Sequence, residues 1–169
     1  MPPRLRGKWA LGITPRHFTW FLKDKLAVCE RPGGFGDNHR RVRRQEEIIW
    51  LRENSFGCLI SIIPAPLNLH NYDELGLTYR HRPFTGAEDL AEWLRSFYTE
   101  LNELLDAGTR VVVHNESVDD RVIGILGGFI RWSGLVDEPE KAIVITERIA
   151  GRQLDPFARG VILMADQLR

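Results

Sequence analysis

His114, Asn115, Glu116, Ser117, Val118, Asp119, Asp120 and Arg121 follow directly on three β-branched residues, Val111 to Val113. The valines predict a strand, and the apolar run from Val122 to Trp132 predicts a helix. The polar residues between them form the connecting loop. A loop that ends at a helix N-terminus gathers backbone N–H groups with no intrahelical acceptor, and the helix dipole adds partial positive charge there. Arg121 contributes a planar, permanently charged fork suited to the oxygens of a phosphate. The chemistry these residue types support is the capture of an anion.

The spacing of His114, Asn115 and Arg121 resembles the His-Cys-x5-Arg loop of the dual-specificity and protein tyrosine phosphatases. The resemblance extends from about Phe18 to the C-terminus. Arg31-Pro32 resembles the Arg-Pro that follows an early strand in that family, and Tyr79-Arg80-His81-Arg82-Pro83-Phe84 resembles the strand leading into the general-acid loop. Three closing helices favour this family over the rhodanese-like fold, which also uses a cysteine-x5-arginine loop.

The resemblance implies where catalysis would sit, and four positions depart from it. Asn115 stands at the nucleophilic cysteine, and a carboxamide has no thiolate with which to attack phosphorus. Val118 stands at a glycine, so a Cβ opposes the tight turn that aims amides at phosphate. Val122 stands at the Ser or Thr that follows the arginine. Thr85 stands at the general-acid aspartate, and a hydroxyl cannot protonate a leaving group near neutral pH. Glu88 and Asp89 would replace that acid only in a shifted loop. Neither Asn115 nor Thr85 is expected to be catalytic, and His114 is expected to orient the loop.

Anion binding without turnover is a separate matter. The expected ligand-contacting residues are His114 to Arg121, with Arg80 and Arg82 as charges at the rim and Arg152 approaching from the other side. Glu116, Asp119 and Asp120 oppose an anion. One carboxylate ~8 Å from a phosphate dianion costs roughly 4 kcal/mol at an effective dielectric of about 20, before screening. In loops of this kind the side chains generally point outward while the amides point in. His114 with these carboxylates shows no zinc-ligand spacing, so no metal and no cofactor is expected. Asn115-Glu116-Ser117 matches a glycosylation pattern by chance, in a chain with no visible secretion signal.

The rest of the chain must position that loop. Phe18 to Phe21 and Leu26 to Cys29 read as strands around a Lys23-Asp24-Lys25 turn. Residues 31–37 hold three glycines and read as a loop. Arg40, Arg41, Arg43 and Arg44 lead into a helix carrying Ile48 to Leu51, with Glu46 and Glu47 balancing the cluster. Cys58 to Ile63 and Leu77 to Arg82 read as strands, ended by Pro64 and Pro83. Glu88 to Ala107 carries a helical apolar stripe of Leu90, Trp93, Leu94, Phe97, Leu101, Leu104 and Leu105. Helices follow at about 121–132, 138–149 and 156–168. The alternation predicts an α/β fold with a central, mostly parallel sheet flanked by helices, the dual-specificity phosphatase-like fold. Residues 1–15, rich in Pro and Arg, are expected as an N-terminal extension, and residues 16–169 as a single domain.

The bulk numbers exclude several classes. Acidic and basic residues balance at 23 each in 169, so no global charge draws the chain to nucleic acid or a membrane surface. No run approaches transmembrane length, and the cytoplasm is expected. Cys29 and Cys58 lie in apolar runs and read as buried, reduced thiols. The function these readings support is a catalytically inactive phosphatase-like domain acting as a regulatory or binding module. Its ligand would be a phosphorylated or acidic molecule, or a protein partner. Two alternatives stay open: an enzyme of another class using Asp119 or Asp120, and a structural subunit with a vestigial loop.

Overall fold

Five strands form one sheet in the computed structural model, which describes residues 11–169. They are β1 (Thr19–Leu22), β2 (Leu26–Glu30), β3 (Cys58–Ser61), β4 (Tyr79–His81) and β5 (Val111–Asn115). Their spatial order is β1-β2-β5-β3-β4. The tight turn at residues 23–25 makes β1 antiparallel to β2, and the other neighbours run parallel. β5 lies at the centre, and all five of its residues are buried. That is the environment expected of a parallel strand covered on both faces.

The helices are α1 (Arg41–Glu53), α2 (Leu69–Glu74), α3 (Leu90–Asp106), α4 (Asp120–Trp132), α5 (Pro139–Ala150) and α6 (Pro156–Met164). Side chains alternate across a strand, so β5 feeds two cores. Val111 and Val113 join Val28, Ile60, Leu94, Leu101, Ile125 and Leu126 on the side of α3 to α6. Val112 joins Ala27, Ile48, Leu51, Leu59 and Tyr72 on the side of α1 and α2. The same alternation turns His114 toward α2 and Asn115 toward α4.

α4 is the axis of the larger core, and residues 122–131 are all buried. Its glycines make that possible. A Cβ on Gly124 would lie 2.5 Å from Ala158 Cα of α6, and one on Gly127 2.7 Å from Thr146 Oγ1 of α5. Asp89 caps α3 by accepting from Glu92 N–H at 3.0 Å, as Asp155 caps α6 through Ala158 N–H at 2.8 Å.

Several boundaries differ from expectation. β3 ends at Ser61, although Ile62 N–H still bonds the His114 carbonyl at 3.1 Å before Pro64 ends pairing. β4 is confined to residues 79–81, α4 begins one residue earlier than expected, and the final helix changes to a 3-10 turn at Ala165–Leu168. The short α2, after the prolines at 64 and 66, was not expected. Of the proposed extension, residues 1–10 lie outside the described residues, while Ile13 N–H bonds the Glu46 carbonyl of α1 at 3.1 Å. Cys29 and Cys58 are free, buried thiols, and burial pushes both thiol pKa values up. No helix among the described residues is long and apolar enough to cross a membrane.

Candidate functional site

β5 delivers two polar residues to its C-terminal end, in opposite directions. His114 is buried between the sheet and α2. Its Nδ1 faces the Asn115 carbonyl at 3.2 Å and its Nε2 faces the Tyr72 hydroxyl at 3.3 Å. A carbonyl can only accept, so Nδ1 carries the proton and Nε2 accepts from Tyr72. Burial holds the imidazole pKa down to about 4. His114 is therefore a neutral fastener that ties the loop to α2.

Asn115 emerges on the α4 side and opens the loop. No residue from 115 to 121 has a positive φ, so Val118 is accommodated by a loop built without a left-handed turn. Among the described residues no protein acceptor takes the N–H of any residue from 116 to 121. Val122 N–H, one turn into the helix, is taken by Asp119 Oδ1 at 3.1 Å. Asp119 is thus the N-cap of α4, and its position brings the carboxylate back across the loop. Asn115 Nδ2 lies 3.3 Å from Oδ1 and 3.2 Å from Oδ2.

The expectation that side chains of such a loop generally point outward does not hold at Asp119. It caps Val122 with Oδ1 and turns both oxygens toward Asn115 Nδ2. Glu116 and Asp120 turn to arginines from other elements. Glu116 meets Arg31 Nη1 at 3.3 Å. Asp120 accepts from Arg152 Nε at 2.8 Å and from Asp155 N–H at 2.8 Å, while Arg152 Nη2 donates to the Val118 carbonyl at 3.1 Å. The α5–α6 connection therefore clamps the loop. Ser117 and Val118 line a pocket of about 260 Å³ with His17, Glu30, Phe35 and the same Arg152.

Arg121 has no carboxylate partner among the described residues. Its guanidinium carbon lies 5.2 Å from the Phe84 ring centre, within cation–π range. Phe84 belongs to the segment that resembles an acid loop. There Glu88 accepts from Thr85 N–H at 2.8 Å, Gly86 N–H at 2.9 Å and Thr85 Oγ1 at 2.8 Å. The Thr85 amide leads these bonds in holding the Glu88 carboxyl down to about 2. Glu88 and Asp89 are both committed to capping turns, and Glu88 has no proton to give near neutral pH.

Arg80, on the edge strand β4, and Arg82, just past its end, were read from the sequence as rim charges. The structure pairs both with Glu100 of α3, at 3.1 and 2.7 Å. Sequence reasoning missed Tyr72, Phe84 and the Arg31–Glu116 pair. Arg31 and Phe84 carried a signal, Arg31 through its resemblance to the family's Arg-Pro and Phe84 within the segment resembling the acid loop, and Tyr72 carried none. Two of the three loop carboxylates, Glu116 and Asp120, are thus paired with guanidinium groups, Arg31 and Arg152, while Asp119 accepts from Asn115 and Val122. The repulsion of roughly 4 kcal/mol per carboxylate is reduced at Glu116 and Asp120 by these arginines.

No protein-family model matches the chain, and no curated protein matches it. Solved structures do. Kinase associated phosphatase, with serine substituted for its catalytic cysteine, matches with a TM-score of 0.75 and 18% identity, over 92% of this chain and 97% of that one. The core catalytic domain of the PP-IP phosphatase Siw14 from S. cerevisiae, in complex with citrate, matches at 0.66 and 17%, over 92% and 89%. The human tyrosine phosphatase-like serine/threonine/tyrosine-interacting protein matches at 0.61 and 10%, over 89% and 96%. At these identities the likeness is one of fold, and the fold is that of the dual-specificity phosphatases.

Proposed function

We propose that this domain is a catalytically silent phosphatase-like module that binds a phosphorylated or acidic ligand, free or borne by a protein partner, at the loop of residues 115–121. One observation carries the reading. Asn115 occupies the end of β5 where the resemblance puts a nucleophile, and its amide is hydrogen-bonded to Asp119. A carboxamide held by a carboxylate can donate a hydrogen bond but cannot form a phosphoryl intermediate.

What supports binding is the set of groups left over. The loop amides lack protein acceptors, and Arg121 lies on Phe84 with no carboxylate of its own. Citrate, a polyanion, accompanies one structural neighbour, and another is named as phosphatase-like and interacting. Chemistry through a loop carboxylate has less support. Asp120 is committed to Arg152 and Asp155, and both oxygens of Asp119 already accept hydrogen bonds.

The test pairs turnover with binding. Full-length protein is expected to hydrolyse p-nitrophenyl phosphate no faster than Asn115→Ala does. Calorimetric titration with phenyl phosphate is expected to show binding that weakens at least ~10-fold in Arg121→Ala, the loss of one charged bidentate contact. Turnover abolished by Asn115→Ala would overturn the reading.

A further inference from the structure

The Asp119 carboxylate is the feature of the loop that anion binding leaves unexplained. It lies within 3.3 Å of Asn115 Nδ2 through both oxygens, so it sits beside the floor of the loop and not on its outer wall. A bare carboxylate accepts hydrogen bonds and cannot donate them. An oxyanion that accepts from Asn115 Nδ2 therefore has the Asp119 carboxylate, an acceptor, beside it. A fully ionised sulfate or phosphate has only acceptor oxygens, and the contact is repulsive. A phosphoryl monoanion carries one P–OH, which can donate to Asp119 while its other oxygens accept from the amides and Arg121.

We propose that Asp119 is the specificity-determining residue of this loop and selects singly protonated phosphoryl groups over fully ionised oxyanions. The inference rests on the anion-binding reading above and refines it. The contacts that would be exchanged are weak ones. Both Asn115–Asp119 distances, 3.2 and 3.3 Å, lie at the long edge of N–H···O bonding. Asp119 would keep its cap on Val122 and turn its second oxygen from Asn115 to the P–OH. Asn115 Nδ2 would then be released to donate to the ligand.

The other charged groups around Asp119 do not supply the same selectivity. On its own loop Glu116 is paired with Arg31 from the end of β2, and Asp120 with Arg152 from the α5–α6 connection. Arg121, on α4, lies over Phe84. From β5, His114 is held down to about 4 and is neutral through the physiological range. From the acid-loop side, Glu88 is held down to about 2 and stays charged.

The test compares inorganic phosphate with sulfate, by calorimetric titration of the full chain at pH 5.5 and pH 8. Sulfate keeps its charge across that interval, so it reports any titration of the protein itself. The expected result is phosphate binding at pH 5.5 that falls at least ~10-fold at pH 8, with sulfate at least ~10-fold weaker than phosphate at pH 5.5. Asp119→Asn keeps the size and the capping oxygen and adds a donor. It is expected to bind sulfate measurably and to lose most of the pH dependence for phosphate. Wild-type protein that binds sulfate as well as phosphate at pH 5.5 would overturn the selectivity while leaving anion binding intact. Phosphate and sulfate both failing to bind to folded wild-type and Asp119→Asn protein would overturn both.

Discussion

The smallest difference between a phosphatase loop and this one is a single side chain, but its neighbours have changed with it. Asn115 donates to Asp119, so restoring a thiol alone would set a developing thiolate about where a carboxylate already lies, and like charge raises a thiol pKa. Thr85 offers no proton, and Glu88 is held ionised. Asn115→Cys is accordingly expected to show no p-nitrophenyl phosphate turnover above background, measured in a continuous absorbance assay. Appreciable turnover would mean that the loop is better arranged for chemistry than its contacts imply. His114 gives a second expectation at this scale. The unfolded chain takes up that proton near pH 6.5, the folded chain only near about 4, so the unfolded state binds more protons in between. Stability is full above about pH 6.5 and declines as pH falls toward 4, by on the order of 3 kcal/mol. Urea unfolding at pH 7 and 4.5 should show the decline, and His114→Gln should flatten it.

At the scale of elements, the loop is set by what grips it. The strand, the long helix and their order were legible, because Val111–Val113 and the stripe from Leu90 to Leu105 repeat at the periods of a buried strand and an amphipathic helix. Arg152 was expected beside the loop and Arg31 matched the resemblance, but the carboxylates they pair with were not legible. Arg31, Arg152 and Asp155 lie far from residues 116–120 in the chain, and no local pattern links them. Asp119 misled for a local reason: its type and position read as a loop carboxylate, while it is the N-cap of α4 and turns toward Asn115. α2 escaped notice because six residues after a proline-rich turn carry too little periodicity. Removing the clamp should loosen the loop without unfolding the domain. Arg152→Ala is expected to cost about 1 kcal/mol or less, because the pair with Asp120 is partly solvent-exposed, and to weaken phosphate binding severalfold. Equal phosphate affinity in that variant would show that the loop holds its shape unaided. Gly124→Ala sets two effects against each other. Alanine gains about 1 kcal/mol in helix propensity over glycine. Its Cβ would meet the Ala158 backbone of α6 at 2.5 Å, and overpacking of that kind typically costs 1–3 kcal/mol. Net destabilisation is expected in thermal melts, and a raised Tm would show that α6 can move aside.

At the scale of the molecule, the fold is that of the dual-specificity phosphatases, and Asn115 and Thr85 stand where the resemblance puts the reacting groups. The central parallel strand still presents a loop at the N-terminus of a buried helix, where α/β sheets commonly bind their ligands. The acid-loop segment still packs beside it through Phe84 and Arg121. Folds host many functions, so the site and not the architecture decides what the domain does. On the proposed reading the site would hold an anion through its loop amides and Arg121, with Asn115 and Thr85 supplying neither thiolate nor acid. Phosphorus-31 NMR of phenyl phosphate with the full-length protein observes both properties in one sample. The ester resonance should broaden or shift on adding protein, lose that response in Arg121→Ala, and give no inorganic phosphate signal over hours. An inorganic phosphate peak that grows with time and disappears in Asn115→Ala would contradict a binding-only domain.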